Sequence, residues 1–136
     1  STMLDYDTLS AYTKSSGASA THYYFFCSSE NADCLYVENT VLKDAATMTH
    51  LNLNQLIEFV DVTPLENNLD INRLKADWGI SHYPAFIAVH NENGKINIEN
   101  TLEWDPEKPL NAEQLTAWLT ANGLTTAENT SETSQK

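Results

Sequence analysis

Short apolar runs, each bounded by polar or turn-forming residues, are spaced along the chain. Three of them are rich in aromatic and β-branched residues and predict buried strands, namely His22 to Cys27, Leu56 to Val62 and Ala85 to His90. A fourth strand is predicted around Ile96 and Ile98, which alternate with polar residues. The Asn93-Gly94 pair between the last two strands is a strong signal for a tight hairpin.

Helical patterns separate these strands. Residues 5–14 predict a short helix before the first strand. After that strand, apolar residues recur every three or four positions from Cys34 to Met48, and Ser28 or Ser29 is expected to cap the helix that they define. Apolar residues from Ile71 to Trp78 predict a further helix, which should end at the glycine that follows.

The last helix carries the clearest local signal. Asn111 with Gln114 three residues later predicts a capping box at its start, and Gly123 predicts its end. The order of elements gives a parallel strand–helix–strand unit with a right-handed crossover, followed by an antiparallel hairpin. We therefore expect an α/β fold in which helices flank a mixed central sheet on both faces.

The chain length of 136 residues suits a single domain. We assign it to residues 1–124 and expect a monomer. Residues 125–136 are polar and lack aliphatic side chains, which predicts a flexible tail.

Charge narrows the range of partners. The formal net charge is −12, with only seven lysines and arginines, so nucleic acids and anionic lipid surfaces are disfavoured. No apolar run approaches the roughly 20 residues that span a bilayer. Because no glycine-rich phosphate loop and no Ser/His/Asp arrangement is present, we predict no cofactor. The net charge is compatible with a partner whose surface is basic.

The two cysteines leave alternatives open. Cys34 has the position of an inert buried cysteine that packs as a small hydrophobic residue. Because the chain has only two cysteines, Cys27 and Cys34 either form one disulfide or remain thiols. A disulfide would indicate an oxidising compartment and free thiols the cytosol, so the compartment stays open.

The segment FFCSSENADCLYVENTVL resembles the strand–turn–helix of the thioredoxin-like superfamily, where a Cys-x-x-Cys motif opens the helix. An apolar pair follows the second, buried cysteine of that motif by six and seven positions. Val41 and Leu42 stand at that distance from Cys34, so Cys34 matches the second cysteine and Asn31 matches the first, attacking one.

A second segment, WGISHYPAFIAVHNENGK, resembles the stretch that holds the cis-proline of the superfamily, and Pro84 matches that proline. Together the two segments imply a thioredoxin fold over about residues 5–123, with the cis-proline before the third main strand. The turn before Cys34 is most similar to thioredoxin-like accessory proteins of bacteriocin transport in Gram-positive bacteria. That similarity implies an extracytoplasmic or cell-surface location, with the cytoplasm as the alternative.

The chain departs from the superfamily pattern at three positions. Asn31 cannot act as a nucleophile, although it can cap the helix or donate a hydrogen bond. Phe25 occupies the place of a buried aspartate, and Cys27 stands where a tryptophan is usual. Ordinary disulfide exchange needs both an attacking and a resolving thiol. The resemblance with these departures therefore implies an accessory module that binds peptides or proteins and is non-catalytic or only weakly redox-active.

Peptide binding is expected at Asn31, Tyr83 and Pro84, where the Tyr83 backbone would pair with an extended chain. The alternative is a thiol–disulfide oxidoreductase that uses Cys34 with Cys27, so enzymatic activity is left open. In the thioredoxin fold His82 would approach both cysteines, but its spacing matches no zinc motif and we predict no metal site. Four acidic residues near these segments are expected to form a solvated surface, namely Glu30, Asp33, Asp61 and Glu66.

Overall fold

The structure is a computed structural model that describes residues 3–126. The predicted tail lies outside the described residues except for Thr125, which is buried, and Thr126, which is exposed. No helix within the described range is long and apolar enough to cross a bilayer.

The sheet has five strands in the order β1-β3-β2-β4-β5. Their bounds are β1 Met3–Asp5, β2 Thr21–Cys27, β3 Glu58–Asp61, β4 Ala85–Glu92 and β5 Lys95–Glu103. β3 runs parallel to both β1 and β2, whereas β2–β4 and β4–β5 are antiparallel pairs. The predicted mixed sheet is therefore confirmed. The edge strand β1 was not predicted, since three residues carry no readable alternation.

Within residues 3–126, seven short helices cover the sheet. They are α1 Leu9–Lys14, α2 Ala32–Tyr36, α3 Leu42–Thr49, α4 Leu53–Leu56, α5 Thr63–Asn67, α6 Arg73–Trp78 and α7 Ala112–Ala121. A 3₁₀ turn at Tyr6–Thr8 leads into α1. The sequence predicted α1, α6 and α7, and it missed α4 and α5.

The predicted helix from Cys34 to Met48 is interrupted in the structure. A π turn at Val37–Val41 separates α2 from α3. A π turn takes up an extra residue, so the inward face shifts in phase beyond it. As a result Thr49 is buried at the end of α3, while Met48, which the uninterrupted spacing predicted to face inward, is only half-buried.

The structure confirms the predicted start of α7, the predicted end of α6 and the predicted hairpin turn. The Asn111 side chain accepts from the Gln114 backbone N–H at 2.8 Å, and the Gln114 side chain accepts from the Asn111 N–H at 3.0 Å, which confirms the capping box. Gly79 ends α6 at φ 71°. Asn93 and Gly94 turn the hairpin with φ values of 52° and 87°, both in the left-handed region that such turns require.

Side chains of β2 alternate between the two faces of the sheet, as the pleat requires. Phe25 and Cys27 belong to the core cluster that also contains buried residues of α2, α3 and α7. Tyr24 and Phe26 belong to the opposite cluster, with buried residues of α1 and α6. Each face of β2 is thus covered, which leaves only its carboxyl end to form a site.

Candidate functional site

The candidate site lies at the carboxyl end of β2. Because β2 and β4 are antiparallel, with Phe26 opposite Ala85, the end of β2 meets the segment that leads into β4. β3 runs parallel to β2, so its end lies at the same edge, and the Val62 N–H donates to the Cys27 carbonyl at 2.9 Å. Three chain segments therefore converge where α2 begins.

Cys27 and Cys34 form a disulfide across this junction. Their Cα atoms are 5.5 Å apart, within the usual range for a bridged pair. Cys27 is 1% exposed and Cys34 0% exposed, so both belong to the core. Of the two alternatives that the sequence left open, the structure shows the bridged pair, and residues 3–126 contain no free cysteine.

Asn31 begins α2. Its side-chain oxygen accepts from the Cys34 backbone N–H at 3.0 Å, which makes Asn31 the N-cap. Of the residues that the sequence offered as caps, the structure therefore uses Asn31, and Ser28 and Ser29 lie in the turn before it. The position that matches an attacking cysteine is used here to start the helix.

A half-buried carboxylate, Glu66, connects both sides of the site. It accepts one hydrogen bond from the Ser28 hydroxyl and another from the Tyr83 hydroxyl. Thr63 adds to this network, since its hydroxyl oxygen accepts from the Ser29 backbone N–H at 3.0 Å. The expectation that Glu66 belongs to a solvated acidic surface is wrong, because α5 directs its side chain into the junction.

Tyr83 lies half-buried between the two core clusters and is held by this network. Burial, together with the hydrogen bond to Glu66, raises the pKa of its hydroxyl well above the ordinary value near 10. The nearby Asn31 side chain lowers that pKa, but by less than the other causes raise it. The phenol is therefore a neutral donor to Glu66 at physiological pH.

The bond between Tyr83 and Pro84 is cis. Pro84 is buried, and its carbonyl accepts from the Trp104 backbone N–H at 2.9 Å. By contrast, the backbone N–H and C=O of Tyr83 take part in none of the hydrogen bonds that join loops and turns within residues 3–126. The chain thus presents one residue with unpaired backbone groups beside the disulfide.

His82 does not join the cysteines. Its side chain is more than half exposed, and its Nδ1 lies 3.7 Å from the Glu103 Oε1. In the described part of the chain, no three His, Cys, Asp or Glu side chains are grouped so that they could hold a metal ion. The structure therefore brings together Cys27, Cys34, Asn31 and Tyr83–Pro84 and leaves His82 outside.

Sequence reasoning missed Glu66, Ser28 and Thr63 as parts of the site. Proline is favoured in the first turn of a helix, and Pro64 occupies that turn of α5. That signal could have placed a helix after β3, with Glu66 on it.

No protein-family model matches the chain, and a search of curated proteins finds no similar sequence. Solved structures are similar in fold. Thioredoxin from Malassezia sympodialis (Mala s 13) is 17% identical and has a TM-score of 0.51, over 86% of this chain and 87% of that one.

The C-terminal domain of Neisseria meningitidis DsbD is also similar in fold. Its oxidised form is 15% identical with a TM-score of 0.57, over 90% of this chain and 99% of that one. Its reduced form is 16% identical with a TM-score of 0.55, over 88% and 99%. The fold of the chain is therefore the thioredoxin fold, as the sequence resemblance implied, and at this level of identity the similarity shows the fold alone.

We expect loss of the disulfide to destabilise the protein. The bridge closes a short loop with a sequence separation of 7, for which the chain-entropy estimate is roughly 2 kcal/mol. Cys27→Ala/Cys34→Ala should therefore lower the free energy of unfolding by about that amount in urea titrations. Dithiothreitol should destabilise the natural chain and leave the double variant unchanged. Equal stability of both proteins, with and without reductant, would contradict a bridged pair.

We expect Tyr83 to make stability depend on alkaline pH. Its pKa is raised in the folded state, so its contribution to stability is complete below about pH 10 and is lost as the pH rises above that value. The natural chain should lose unfolding free energy above about pH 10 more steeply than Tyr83→Phe. In Glu66→Gln the phenol should titrate lower but still above about pH 10, because burial remains. The difference in phenolate absorbance between the natural chain and Tyr83→Phe separates Tyr83 from the other five tyrosines and reports its midpoint. An ordinary midpoint in that difference would refute the Tyr83–Glu66 contact.

Proposed function

We propose that the chain is a peptide- or protein-binding accessory module that does not turn over disulfides. In this proposal Tyr83 pairs through its backbone with an extended partner, Asn31 and Pro84 shape the place where it pairs, and the Cys27–Cys34 bridge holds the site together. The observation that carries the proposal is the contrast between two buried sulfurs and one half-exposed residue with unpaired backbone groups.

Disulfide exchange requires an accessible sulfur, and both sulfurs of this site are buried. An incoming thiolate must reach one sulfur along the axis of the S–S bond, and the other sulfur leaves as a thiolate. Both cysteines are at most 1% exposed. An exposed thiol at the helix start would remove that obstacle, but Asn31 occupies that position and caps the helix. Burial and the absent nucleophile both favour a structural bridge.

Peptide binding, in contrast, uses what the site exposes. An extended peptide that adds to a backbone segment needs unpaired N–H and C=O groups held in one orientation. The Tyr83 side chain is fixed by Glu66, and its backbone groups are unpaired. A held residue loses little conformational entropy on binding, which favours affinity.

A second candidate function is thiol–disulfide exchange by Cys27 and Cys34. It is favoured by the location of the bridge, which joins a strand end to a helix start beside the Tyr83–Pro84 segment. The similar DsbD domain is known in oxidised and reduced forms. The Ser28 N–H lies 3.1 Å from the Cys34 Sγ and would stabilise a thiolate there, so Cys27 would be attacked and Cys34 would leave.

The bridge also bears on location and assembly. Disulfides persist in oxidising compartments, which supports a place outside the cytoplasm, at or beyond the cell surface. We propose that the module acts there as a monomer.

An insulin-reduction assay with dithiothreitol separates the two functions. We expect the rate of insulin precipitation to stay within about twofold of the blank, because the sulfurs are inaccessible. Cys27→Ser and Cys34→Ser should give the same rate, and a thioredoxin should serve as the positive control. Acceleration by about tenfold or more that disappears in either variant would overturn the proposal in favour of exchange.

Binding can be tested with an unfolded, thiol-free chain. Reduced and carboxamidomethylated lysozyme is a suitable probe, because it is extended and basic whereas this protein is acidic. In amide NMR spectra of the oxidised protein, we expect shifts concentrated at Asn31, Tyr83 and the start of β4. Shifts confined to other surfaces, or no shifts at millimolar probe, would contradict the proposal.

A further inference from the structure

Apolar residues lie on both sides of Tyr83. On one side, Tyr36 makes an edge-on ring contact with Trp104, with centroids 6.3 Å apart, and the Trp104 N–H donates to the Pro84 carbonyl. Tyr36 is 46% exposed and its neighbour Leu35 is 45% exposed, which is unusual for large apolar side chains on a short helix. These residues form an open apolar surface next to the disulfide.

On the other side of Tyr83 lies a cavity of about 360 Å³. Its apolar walls come from α6 and the segments on either side of it, namely Ile71, Leu74, Ile80 and Tyr83 itself. Asn72, Lys75 and Ser81 supply its polar lining. The cavity has room for a branched aliphatic side chain. We call the open surface and this cavity together the apolar band.

The charges beside the band are predominantly negative. Glu30 and Asp33 are exposed on the segment that enters α2, and Asp105 is exposed directly after Trp104. Glu103 accepts from the backbone N–H groups of Ser81 and His82, which brings a fourth carboxylate to the same edge. Against these, the cavity lining contributes one lysine, Lys75.

From this arrangement we infer that the natural partner is an extended, positively charged segment that inserts an aliphatic side chain into the cavity beside Tyr83. This inference rests on the proposed peptide-binding function and adds the chemistry of the partner to it. Side chains of an added strand alternate between its two faces, so residues two positions apart in the partner point the same way. An aliphatic residue directed into the cavity can therefore be flanked by others directed at Leu35 and Tyr36.

Three nine-residue peptides, each acetylated and amidated, test the inference. The first has two lysines at each end and valine alternating with serine between them. The second has glutamates in place of the lysines, and the third has serines in place of the valines. With the oxidised full chain, we expect the first to bind about tenfold more tightly than either of the others. Its affinity should also fall as salt is raised, because the attraction is between exposed charges.

Two pairs of protein variants test separately whether the carboxylates and the cavity contribute to peptide affinity. Glu30→Gln/Asp33→Asn should weaken the lysine–valine peptide by about threefold or more, whereas Glu92→Gln/Glu99→Gln, with the same charge change elsewhere on β4 and β5, should not. Ile71→Ser should weaken it by about fivefold or more, and Ile98→Ser, on exposed β5, should not. If Ile71→Ser does not fold, the serine peptide tests the same contact from the side of the ligand.

The outcomes distinguish this inference from the proposed function. Equal binding of all three peptides, with shifts at Tyr83, would overturn the inference about partner chemistry and leave peptide binding intact. Binding of the glutamate peptide in preference to the lysine peptide would also overturn it. If none of the peptides shifts the Tyr83 or Asn31 resonances at millimolar concentration, both the inference and the proposed function are wrong.

Discussion

A covalent bond between the end of β2 and the first turn of α2 is the constraint on which the site depends. The Cys27–Cys34 bridge confines the intervening turn, and that turn carries Ser28 and Asn31. Ser28 reaches across to the other side of the junction through Glu66, which also accepts from Tyr83, and Asn31 begins the helix that the bridge anchors. The orientation of Tyr83 thus depends on a chain of contacts that begins at the disulfide. A loose turn would leave Glu66 without its contact to Ser28.

The exchange of a cysteine for Asn31 changes what the helix start can do. A thiol at a helix N-terminus is activated by the dipole and becomes a nucleophile. An asparagine in that place satisfies a backbone N–H of the same helix, which stabilises the helix instead. The remaining sulfur, Cys34, is then paired with a cysteine on the strand. The helix start is therefore capped, and its first turn is bridged to the strand.

The sequence predicts correctly those features of the fold that residues close together in the chain determine. The capping box at Asn111 and the turn at Asn93-Gly94 are set within four residues, and both were predicted correctly. The bridge was left undecided, because the distance between two Cα atoms is set by the packing of β2 against α2. Glu66 was misread, since its contacts depend on α5 and on Tyr83, seventeen residues away. β1 is defined only by its pairing with β3, and no pattern within its three residues predicts that pairing.

The π turn at Val37–Val41 has a consequence for how the long helical segment is held. Its first part is anchored by the bridge at Cys34, and its second part packs through Ala45 and Thr49 into the interior. One residue more or less rotates one part against the other by about 100°, since a regular helix has 3.6 residues per turn. The extra residue of the π turn therefore sets the rotation between α2 and α3. Without it, either Cys34 on α2 or Ala45 and Thr49 on α3 would face solvent.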